Sequence, residues 1–301
     1  MKILLLGKDG QVGWELQRAL APLGEVIAAG RHSADVPADF TDPDSLAATV
    51  RTIAPQLIVN AAAHTAVDKA ESEPQIARLL NADAPAVLAR EARSLDAWLV
   101  HYSTDYVFDG SGSTPWSEES TTNPLSVYGR TKLEGEDAIR ASGCRHLIFR
   151  TSWVYAARGA NFAKTMLRLA RERNRLTVVD DQVGSPTGAD LLADLTAHAI
   201  RHARGKPQVG GTYHAVAQGV TSWHGYARHV IGFARAQGEQ FAVTDDAIEA
   251  VPSSAFPTPA ARPHNSRMDT RKLRETFDLT LPSWQSGVER MLTEVLSTAQ
   301  K

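Results

Sequence analysis

A tyrosine and a lysine four residues apart, Tyr128 and Lys132, are the residues of this sequence best suited to proton transfer. On a helix this spacing puts both side chains on one face, about one turn apart. A fixed positive charge near a phenol stabilises the phenolate, so we expect Lys132 to lower the pKa of Tyr128 from its usual value of about 10. Because the chain contains 6 tyrosines, the spacing alone also fits an ordinary solvated helix face. The secondary structure predicted around Tyr128 and Lys132 is therefore needed to choose between these interpretations.

The glycine-rich segment near the N-terminus predicts a binding site for a dinucleotide. The apolar run at residues 2–6 is typical of a buried parallel strand, and Gly7, Gly10 and Gly13 follow it before a helical apolar pattern. Glycines in a turn between a strand and a helix let the backbone approach a pyrophosphate at the helix N-terminus. The spacing differs from the G-x-G-x-x-G pattern, and a plain tight turn is the alternative.

The end of the second predicted strand, residues 25–29, bears on the choice of cofactor. No carboxylate follows this strand to bind a ribose 2′-hydroxyl, whereas Arg31 is placed to pair with a 2′-phosphate. This arrangement favours NADPH, and an exposed loop charge is the alternative for Arg31. Further along the chain, Asp39 and Phe40 are candidates to flank the adenine ring.

Polar residues follow other predicted strands, at the edge where open α/β sheets bind ligands. Thr104 and Asp105 come just after the strand at residues 98–102, and Thr104 is placed to hydrogen-bond a substrate carbonyl beside Tyr128. The alternative is that these side chains only cap the next turn. His64 follows the third predicted strand, where a structural role is its more common meaning.

Strands alternate with helices as far as Arg150, which predicts an α/β fold of the Rossmann type with a doubly wound parallel sheet. We expect residues 1–152 to form the dinucleotide-binding domain. Residues 153–301 are expected to form mainly a smaller C-terminal substrate-binding lobe, with segments that return to the sheet. Trp153 is a candidate to stack on a base or sugar, or else a core residue. Arg262 is a candidate cation for an anionic substrate, or else part of a surface loop.

The composition narrows the possible partners. A chain of 301 residues with a net charge of -2 has no basic field to attract nucleic acid or an anionic membrane. The single cysteine, Cys144, fits a reducing compartment, and no apolar run reaches the length of a membrane span. We therefore expect a soluble cytoplasmic protein with a small-molecule or protein partner.

Eight segments carry a resemblance to a known family. They are GKDGQVG, NAAAHTAVDKAESEP, HYSTDYVFDG, PLSVYGRTK, FRTSWVYA, NFAKTML, DDQVGSPTGA and RPHNSR. The segments run along essentially the whole chain, and through them the chain resembles the extended short-chain dehydrogenase/reductases. Within that family it is similar to enzymes that reduce the C4 ketone of a dTDP-linked 6-deoxy-4-hexulose.

The resemblance implies a role for each matching residue. Tyr128 would donate a proton to the C4 carbonyl, Lys132 would hold the nicotinamide ribose and tune Tyr128, and Thr104 would hydrogen-bond the carbonyl. Asp105 and Trp153 would meet the dTDP-sugar. The pyrophosphate would contact Gly10, Gln11 and Val12, the adenine Asp39 and Phe40, and the rest of the cofactor Ala63, His64, Thr65 and Tyr102. The end of the second strand departs from relatives that carry an acid there, so NADH stays an alternative to NADPH.

The resemblance also implies an assembly. Some members of the family form dimers around Mg²⁺ held by carboxylates, and the matching positions here are Glu15, Asp190 and Glu294. We therefore expect a homodimer with a magnesium site.

Two other functions are compatible with these patterns. One is a non-catalytic regulatory subunit that binds NADP and a partner enzyme, although the set of Thr104, Tyr128 and Lys132 argues against a pure binding module. The other is a reductase of a related dTDP-4-keto-6-deoxysugar, or of the opposite face of the ketone.

Overall fold

The computed structural model describes residues 1–299 except residues 31, 32, 34, 35 and 37. The first half contains β1 (Lys2–Leu6), α1 (Gln11–Leu20), β2 (Glu25–Ala29), α2 (Pro43–Ile53), β3 (Leu57–Asn60), α3 (Val67–Ser72), α4 (Pro74–Arg78), α5 (Ala84–Ser94), β4 (Trp98–Thr104), α6 (Val127–Ser142) and β5 (Arg145–Thr151). The second half contains β6 (Val154–Tyr155), α7 (Phe162–Glu172), β7 (Leu176–Val179), β8 (Val183–Gly184), β9 (Thr187–Gly188), α8 (Ala189–Gly205), β10 (Gly211–His214), β11 (Thr221–Ser222), α9 (Trp223–Ala236), β12 (Ile248–Val251), α10 (Arg271–Phe277) and α11 (Trp284–Ala299).

A six-stranded sheet in the order β10-β5-β4-β3-β1-β2 forms the centre of the molecule. All of its strand pairs are parallel. β1 lies between β2 and β3, and the strand order changes direction there, which opens a crevice at the carboxyl ends of β1 and β3. The predicted doubly wound parallel sheet is therefore confirmed.

Helices cover both faces of this sheet. Ile3 and Leu5 pack in a core with residues of α1, α8 and α10, whereas Leu4 and Leu6 pack in a second core with residues of α2, α5 and α6. Because both faces are buried, the strands are apolar almost without interruption, which explains why the sequence pattern located them.

The second half of the chain builds a third core from α7, α9 and α11 together with the paired strands β7 and β12. It also returns to the sheet, because β10 pairs with β5 and α8 packs on α1. The division into residues 1–152 and 153–301 stays a prediction. Over the described ranges, no helix is long and apolar enough to cross a membrane.

Candidate active site

The N-terminus of α6 brings Tyr128 and Lys132 to the end of β4. Ser126 caps this helix, since its hydroxyl accepts a hydrogen bond from the Gly129 N–H at 3.2 Å. A Cβ at Gly129 would lie 2.2 Å from the carbonyl oxygen of Tyr106, so only glycine lets the helix approach the turn after β4 this closely. The first turn of α6 is therefore packed directly on the residues that follow β4.

Tyr128 is half-buried, with its ring edge-on to that of Tyr106 at 5.4 Å between centroids. Burial raises the pKa of Tyr128 to about 12, although a hydrogen bond with the Thr104 side chain lowers it; the Asp105 carboxylate raises it further. The expectation that Lys132 lowers the pKa of Tyr128 is therefore wrong. Desolvation of the phenol outweighs the charge of a lysine whose nitrogen is engaged elsewhere.

Lys132 is buried, and its nitrogen contacts residues of β4. Its Nζ lies 2.6 Å from the carbonyl oxygen of Tyr102 and 3.1 Å from Nε2 of His101. Burial lowers the pKa of Lys132 to about 8, and the Glu136 carboxylate opposes this change. A lysine with such a pKa exchanges protons readily near neutral pH.

Thr104 and Asp105 lie at the end of β4, as expected. The Thr104 hydroxyl donates to Oδ1 of Asp105 at 3.0 Å and accepts from the Tyr106 N–H at 3.2 Å, so it caps the next turn. The Ser266 hydroxyl donates to Oδ2 of Asp105 at 2.5 Å. Burial raises the pKa of Asp105 to about 6. Thr104 therefore caps the turn after β4, and its hydrogen bond to a substrate carbonyl stays a prediction.

The glycine turn after β1 lies against the loop after β3. Gly7 has φ +85°, and a Cβ there would lie 2.7 Å from the Ala62 nitrogen; a Cβ at Gly13 would lie 2.0 Å from the Gly7 oxygen. Gly10 precedes α1 without a side-chain cap from any described residue, so the first N–H groups of the helix stay available to an anion. These contacts explain why the turn needs glycine at its first and third positions.

The side chains after this turn have distinct surroundings. Gln11 is half-buried, and its Oε1 is 3.4 Å from Nδ2 of Asn161. Val12 is half-buried and packs against the core on the α1 face of the sheet. Arg31, the candidate for a 2′-phosphate, lies outside the described residues.

The two adenine candidates are both engaged. Oδ1 of Asp39 accepts from the Thr41 N–H at 2.8 Å and from its hydroxyl at 2.6 Å. Phe40 is buried in the core formed with α2 and α5. The ring therefore packs in this core, and its contact with adenine stays a prediction.

Ala63, His64 and Thr65 form the loop after β3. The backbone of His64 is held by Asn81, whose Oδ1 accepts from the His64 N–H at 2.8 Å and whose Nδ2 donates to the His64 oxygen at 3.1 Å. Tyr102 directs its hydroxyl to Thr196 at 2.6 Å, so its carbonyl, not its phenol, contacts Lys132.

Trp153 lies at the border of the C-terminal lobe. It has φ +49° and stacks on Trp223 with ring centroids 3.7 Å apart. A Cβ at Gly184 would lie 2.9 Å from the Trp153 ring, so glycine makes room for the indole. One face of the indole is therefore taken by another aromatic ring.

A cleft of about 570 Å³ opens beside Tyr106, the neighbour of Tyr128. Its lining includes the aromatic side chains of Phe162, Trp223 and Phe256 and the polar side chains of Gln182, Arg262 and His264. Arg262 is not a free cation, because it donates to both carboxylate oxygens of Asp68, at 3.1 and 2.7 Å. The cleft thus combines aromatic surfaces with a paired charge at its edge.

The predicted magnesium ligands lie near one another but do not form a metal site in this chain. Burial and the negative charges of Asp190 and Glu294 raise the pKa of Glu15. Arg18 lies 3.7 Å from Glu15, and Arg290 pairs with Asp190. Among the described residues, no group of three or more histidine, cysteine, aspartate or glutamate side chains is arranged to hold a metal. Arg18 and Arg290 therefore offset part of the negative charge of Glu15 and Asp190.

Three further buried polar residues lie at this edge and were not predicted from the sequence: Asn60, Asn81 and His101. Nδ2 of Asn60 lies 3.1 Å from Nδ1 of His101, and Nδ2 of Asn81 donates to the Thr131 hydroxyl at 3.2 Å. Asn60 ends the apolar strand β3, and His101 lies inside the buried strand β4. A polar residue inside a buried apolar run was the signal that could have identified them, because such groups need hydrogen-bond partners.

Comparison with known proteins shows the family of the chain. The family model described as the RmlD substrate binding domain matches residues 1–297. A dTDP-4-dehydrorhamnose reductase of Shigella flexneri is 60% identical over 298 residues, covering 99% of each chain.

Solved structures give the same result. A dTDP-4-dehydrorhamnose reductase from Clostridium acetobutylicum is 34% identical with a TM-score of 0.86, covering 100% of both chains. The enzyme of the same name from Bacillus anthracis, in complex with NADP, is 32% identical with a TM-score of 0.86, covering 97% of this chain and 99% of that one. The chain therefore belongs to the dTDP-4-dehydrorhamnose reductase family of the extended short-chain dehydrogenase/reductases.

Proposed function

We propose that the protein is an NADPH-dependent reductase that converts dTDP-4-dehydro-β-L-rhamnose to dTDP-β-L-rhamnose by reducing its C4 ketone. The observation that carries this proposal is that α6 brings the Tyr128 side chain close enough to that of Thr104, at the end of β4, for Thr104 to lower the Tyr128 pKa against the effect of burial. The Tyr128 ring packs edge-on against that of Tyr106, which lines the aromatic cleft. A ketone oxygen placed against the hydroxyls of Tyr128 and Thr104 would be polarised and ready to accept a proton. Membership of the family supports the choice of sugar nucleotide.

The glycine turn fits the pyrophosphate of NADPH. Gly7 brings the backbone against Ala62, and the uncapped start of α1 presents N–H groups and the positive end of the helix dipole. NADPH, when bound, supplies the hydride that C4 receives. The NADP bound to the Bacillus anthracis relative supports this cofactor, and Arg31 supports the phosphorylated form from sequence alone.

Tyr128 would act as the general acid. With the pKa of Tyr128 raised to about 12, the phenol carries its proton at neutral pH and can give it to the developing alkoxide. Thr104 would hydrogen-bond the same oxygen, and Lys132, one turn along the helix, would bond the nicotinamide ribose. A positioned acid of this kind contributes about 10²- to 10⁴-fold to the rate.

The cleft beside Tyr106 would bind the dTDP moiety. Its aromatic side chains, Trp223 and Phe256, suit stacking with a thymine ring, and Gln182 supplies an amide for hydrogen bonds to the base. Arg262 and His264 suit the diphosphate. Asp105 and Trp153, near the border of the cleft, would contact the sugar.

The proposal is tested by following the loss of NADPH absorbance with dTDP-4-dehydro-β-L-rhamnose and identifying the product by NMR. Tyr128→Phe should lower kcat by about 10²- to 10⁴-fold while NADPH still binds. Tyr226→Phe is the matched control. The Tyr226 hydroxyl is buried and has no hydrogen-bond partner among the described residues, so its loss removes no hydrogen bond. Near-normal turnover of Tyr128→Phe would exclude Tyr128 as the acid, and a different epimer as product would exclude the proposed sugar.

Two expectations from the resemblance stay predictions. The homodimer is one, and analytical ultracentrifugation measures it directly. The magnesium site is the other, and it does not fit the carboxylates of a single chain as they are paired with Arg18 and Arg290. No step of the proposed reaction depends on a metal.

A further inference from the structure

The short helix α3 presents a carboxylate to the start of α6. Oε1 of Glu71 accepts a hydrogen bond from the Val127 N–H at 2.7 Å. Val127 is the first residue of α6 and directly precedes Tyr128, the proposed acid. The two residues that form this bond are 56 positions apart in the sequence, so the bond joins separate elements.

The chemistry of a helix start makes this bond a strong one. The first N–H groups of a helix have no acceptor within the helix and lie at the positive end of its dipole. A carboxylate that accepts from such a group makes a short, charge-assisted hydrogen bond, and the distance of 2.7 Å is typical of one. Glu71 is half-buried, so water and salt screen the bond less than they would on an open surface.

Glu71 projects from an element that is itself held in place. Its neighbour on α3, Ala70, is fully buried. Asp68, one turn earlier on the helix, accepts from the Ala260 N–H at 3.2 Å and pairs with Arg262. Both of these partners line the cleft. α3 is therefore fixed against the core and against the border of the cleft, and it offers α6 a contact of fixed position.

The turn after β4 makes another contact with the first turn of α6. Gly129 packs so close to the Tyr106 carbonyl that no Cβ fits between them, and the Tyr106 ring lies edge-on to that of Tyr128. The backbone is thus held on either side of Tyr128, at Val127 and at Gly129. A shift of this turn would move the phenol relative to Thr104 and to a bound ketone.

We propose that Glu71 is a positioning residue for the reduction: by holding the Val127 N–H it fixes the first turn of α6, and with it the place of the Tyr128 hydroxyl. This inference deepens the proposed function and rests on it for the role of Tyr128 as the acid. Proton transfer needs the donor within hydrogen-bond reach of the ketone oxygen, and a displacement of about 1 Å can cost about 100-fold in rate. Glu71, which acts through the backbone of α6, therefore controls kcat.

The first test compares Glu71→Leu with Glu71→Gln in the reductase assay. Leu removes the acceptor at a similar size, whereas Gln keeps a side-chain oxygen for the Val127 N–H. We expect kcat to fall about 10- to 100-fold in the Leu variant. In the Gln variant kcat should fall only about two- to fivefold, because a neutral oxygen makes a weaker hydrogen bond. The KM values for NADPH and for the dTDP-sugar should stay near those of the natural chain in both variants.

Glu73→Gln is the matched control, because the Glu73 carboxylate belongs to the same segment but pairs with Lys69 at 3.2 Å. It should keep the kcat of the natural chain. Urea unfolding of the three variants measures the stability that each loses. The inference would be overturned if the Leu variant kept the kcat of the control, or if the Gln variant lost as much kcat as the Leu variant.

The second test measures hydrogen exchange at Val127 in the natural chain, so it needs no variant of Glu71 to fold. The chain is labelled with ¹⁵N-valine and followed by NMR without cofactor or substrate, and the Val127 signal is assigned from its loss in Val127→Ile. We expect this amide to exchange slowly, like an amide inside a helix, although the N–H of a first helical residue is ordinarily free to exchange. Exchange at the rate of an unbonded amide would overturn the inference and leave the proposed reductase activity untouched. Absence of reductase activity would instead refute the proposed function, and slow exchange at Val127 would still demonstrate the hydrogen bond.

Discussion

Burial controls ionisation at the residues around Tyr128. The pKa of Tyr128 rises to about 12, that of Asp105 rises to about 6 and that of Lys132 falls to about 8, each toward the neutral form. The sequence located Tyr128 and Lys132 but gave the wrong direction for the Tyr128 pKa. Helical spacing determines that Tyr128 and Lys132 share a face. The burial of both side chains, and the contact of Lys132 with His101, depend instead on the packing of α6 against the sheet.

Asp105 makes stability depend on pH. Its pKa rises from 3.8 unfolded to about 6 folded, so the folded chain binds more protons between these values and loses stability as pH rises through them. Two pKa units correspond to about 3 kcal/mol. Between pH 4 and pH 7 the free energy of unfolding of the natural chain should fall by about 2–3 kcal/mol relative to that of Asp105→Asn, which cannot titrate at this position. Urea titrations at several pH values measure it, and a pH-independent difference would contradict it.

The elements of the sheet were predictable to different degrees. β1 to β5 were visible because strands buried on both faces are continuous apolar runs. β10 was not, because its four residues, Gly211–His214, are glycine, threonine, tyrosine and histidine and so form no apolar run; they become a strand by pairing with β5. The π-helical segment Leu79–Asp83 was also missed, since it depends on the contacts of Asn81 with His64.

The glycine turn gives a prediction for a single element. Gly13→Ala should lower the free energy of unfolding by about 1–3 kcal/mol, because its Cβ would overlap the Gly7 carbonyl oxygen at 2.0 Å and the turn must shift. Gly10→Ala is the matched control, since its Cβ would meet that oxygen at an ordinary 3.4 Å. Thermal or urea unfolding of both variants provides the measurement. Equal stability of the two variants would mean that the turn accommodates a Cβ at residue 13 without cost, which would contradict the prediction.

At the scale of the whole molecule, residues 262–266 of the second half contact residues of the first half. Arg262 pairs with Asp68 of α3, Nδ2 of Asn265 donates to the Thr114 carbonyl at 2.9 Å, and Ser266 donates to Asp105. The segment therefore borders both the cleft and the proposed catalytic pair. Arg262 and Asp68 are far apart in the sequence, and for this reason their pairing could not be predicted from the sequence.

The Arg262–Asp68 pair should compete with the substrate. If Arg262 binds the diphosphate, it must leave Asp68, and this exchange costs part of the binding energy. Asp68→Asn removes the competing charge and keeps Oδ1 as acceptor for the Ala260 N–H, which lies 3.2 Å away. We expect the KM for the dTDP-sugar to fall about two- to fivefold, the scale of a partly exposed ion pair, and the effect to weaken with added salt.

Arg262→Met is the matched variant for the same pair. It removes the cation that would bind the diphosphate, so KM should rise while kcat changes little. Steady-state kinetics of both single variants and of the double variant measure the coupling between the two residues. The double variant should resemble Arg262→Met, because Asp68 matters only through Arg262. If Asp68→Asn instead raised KM as much as Arg262→Met does, the pair would serve to hold residues 262–266 against the sheet domain, and the diphosphate would have to bind elsewhere in the cleft.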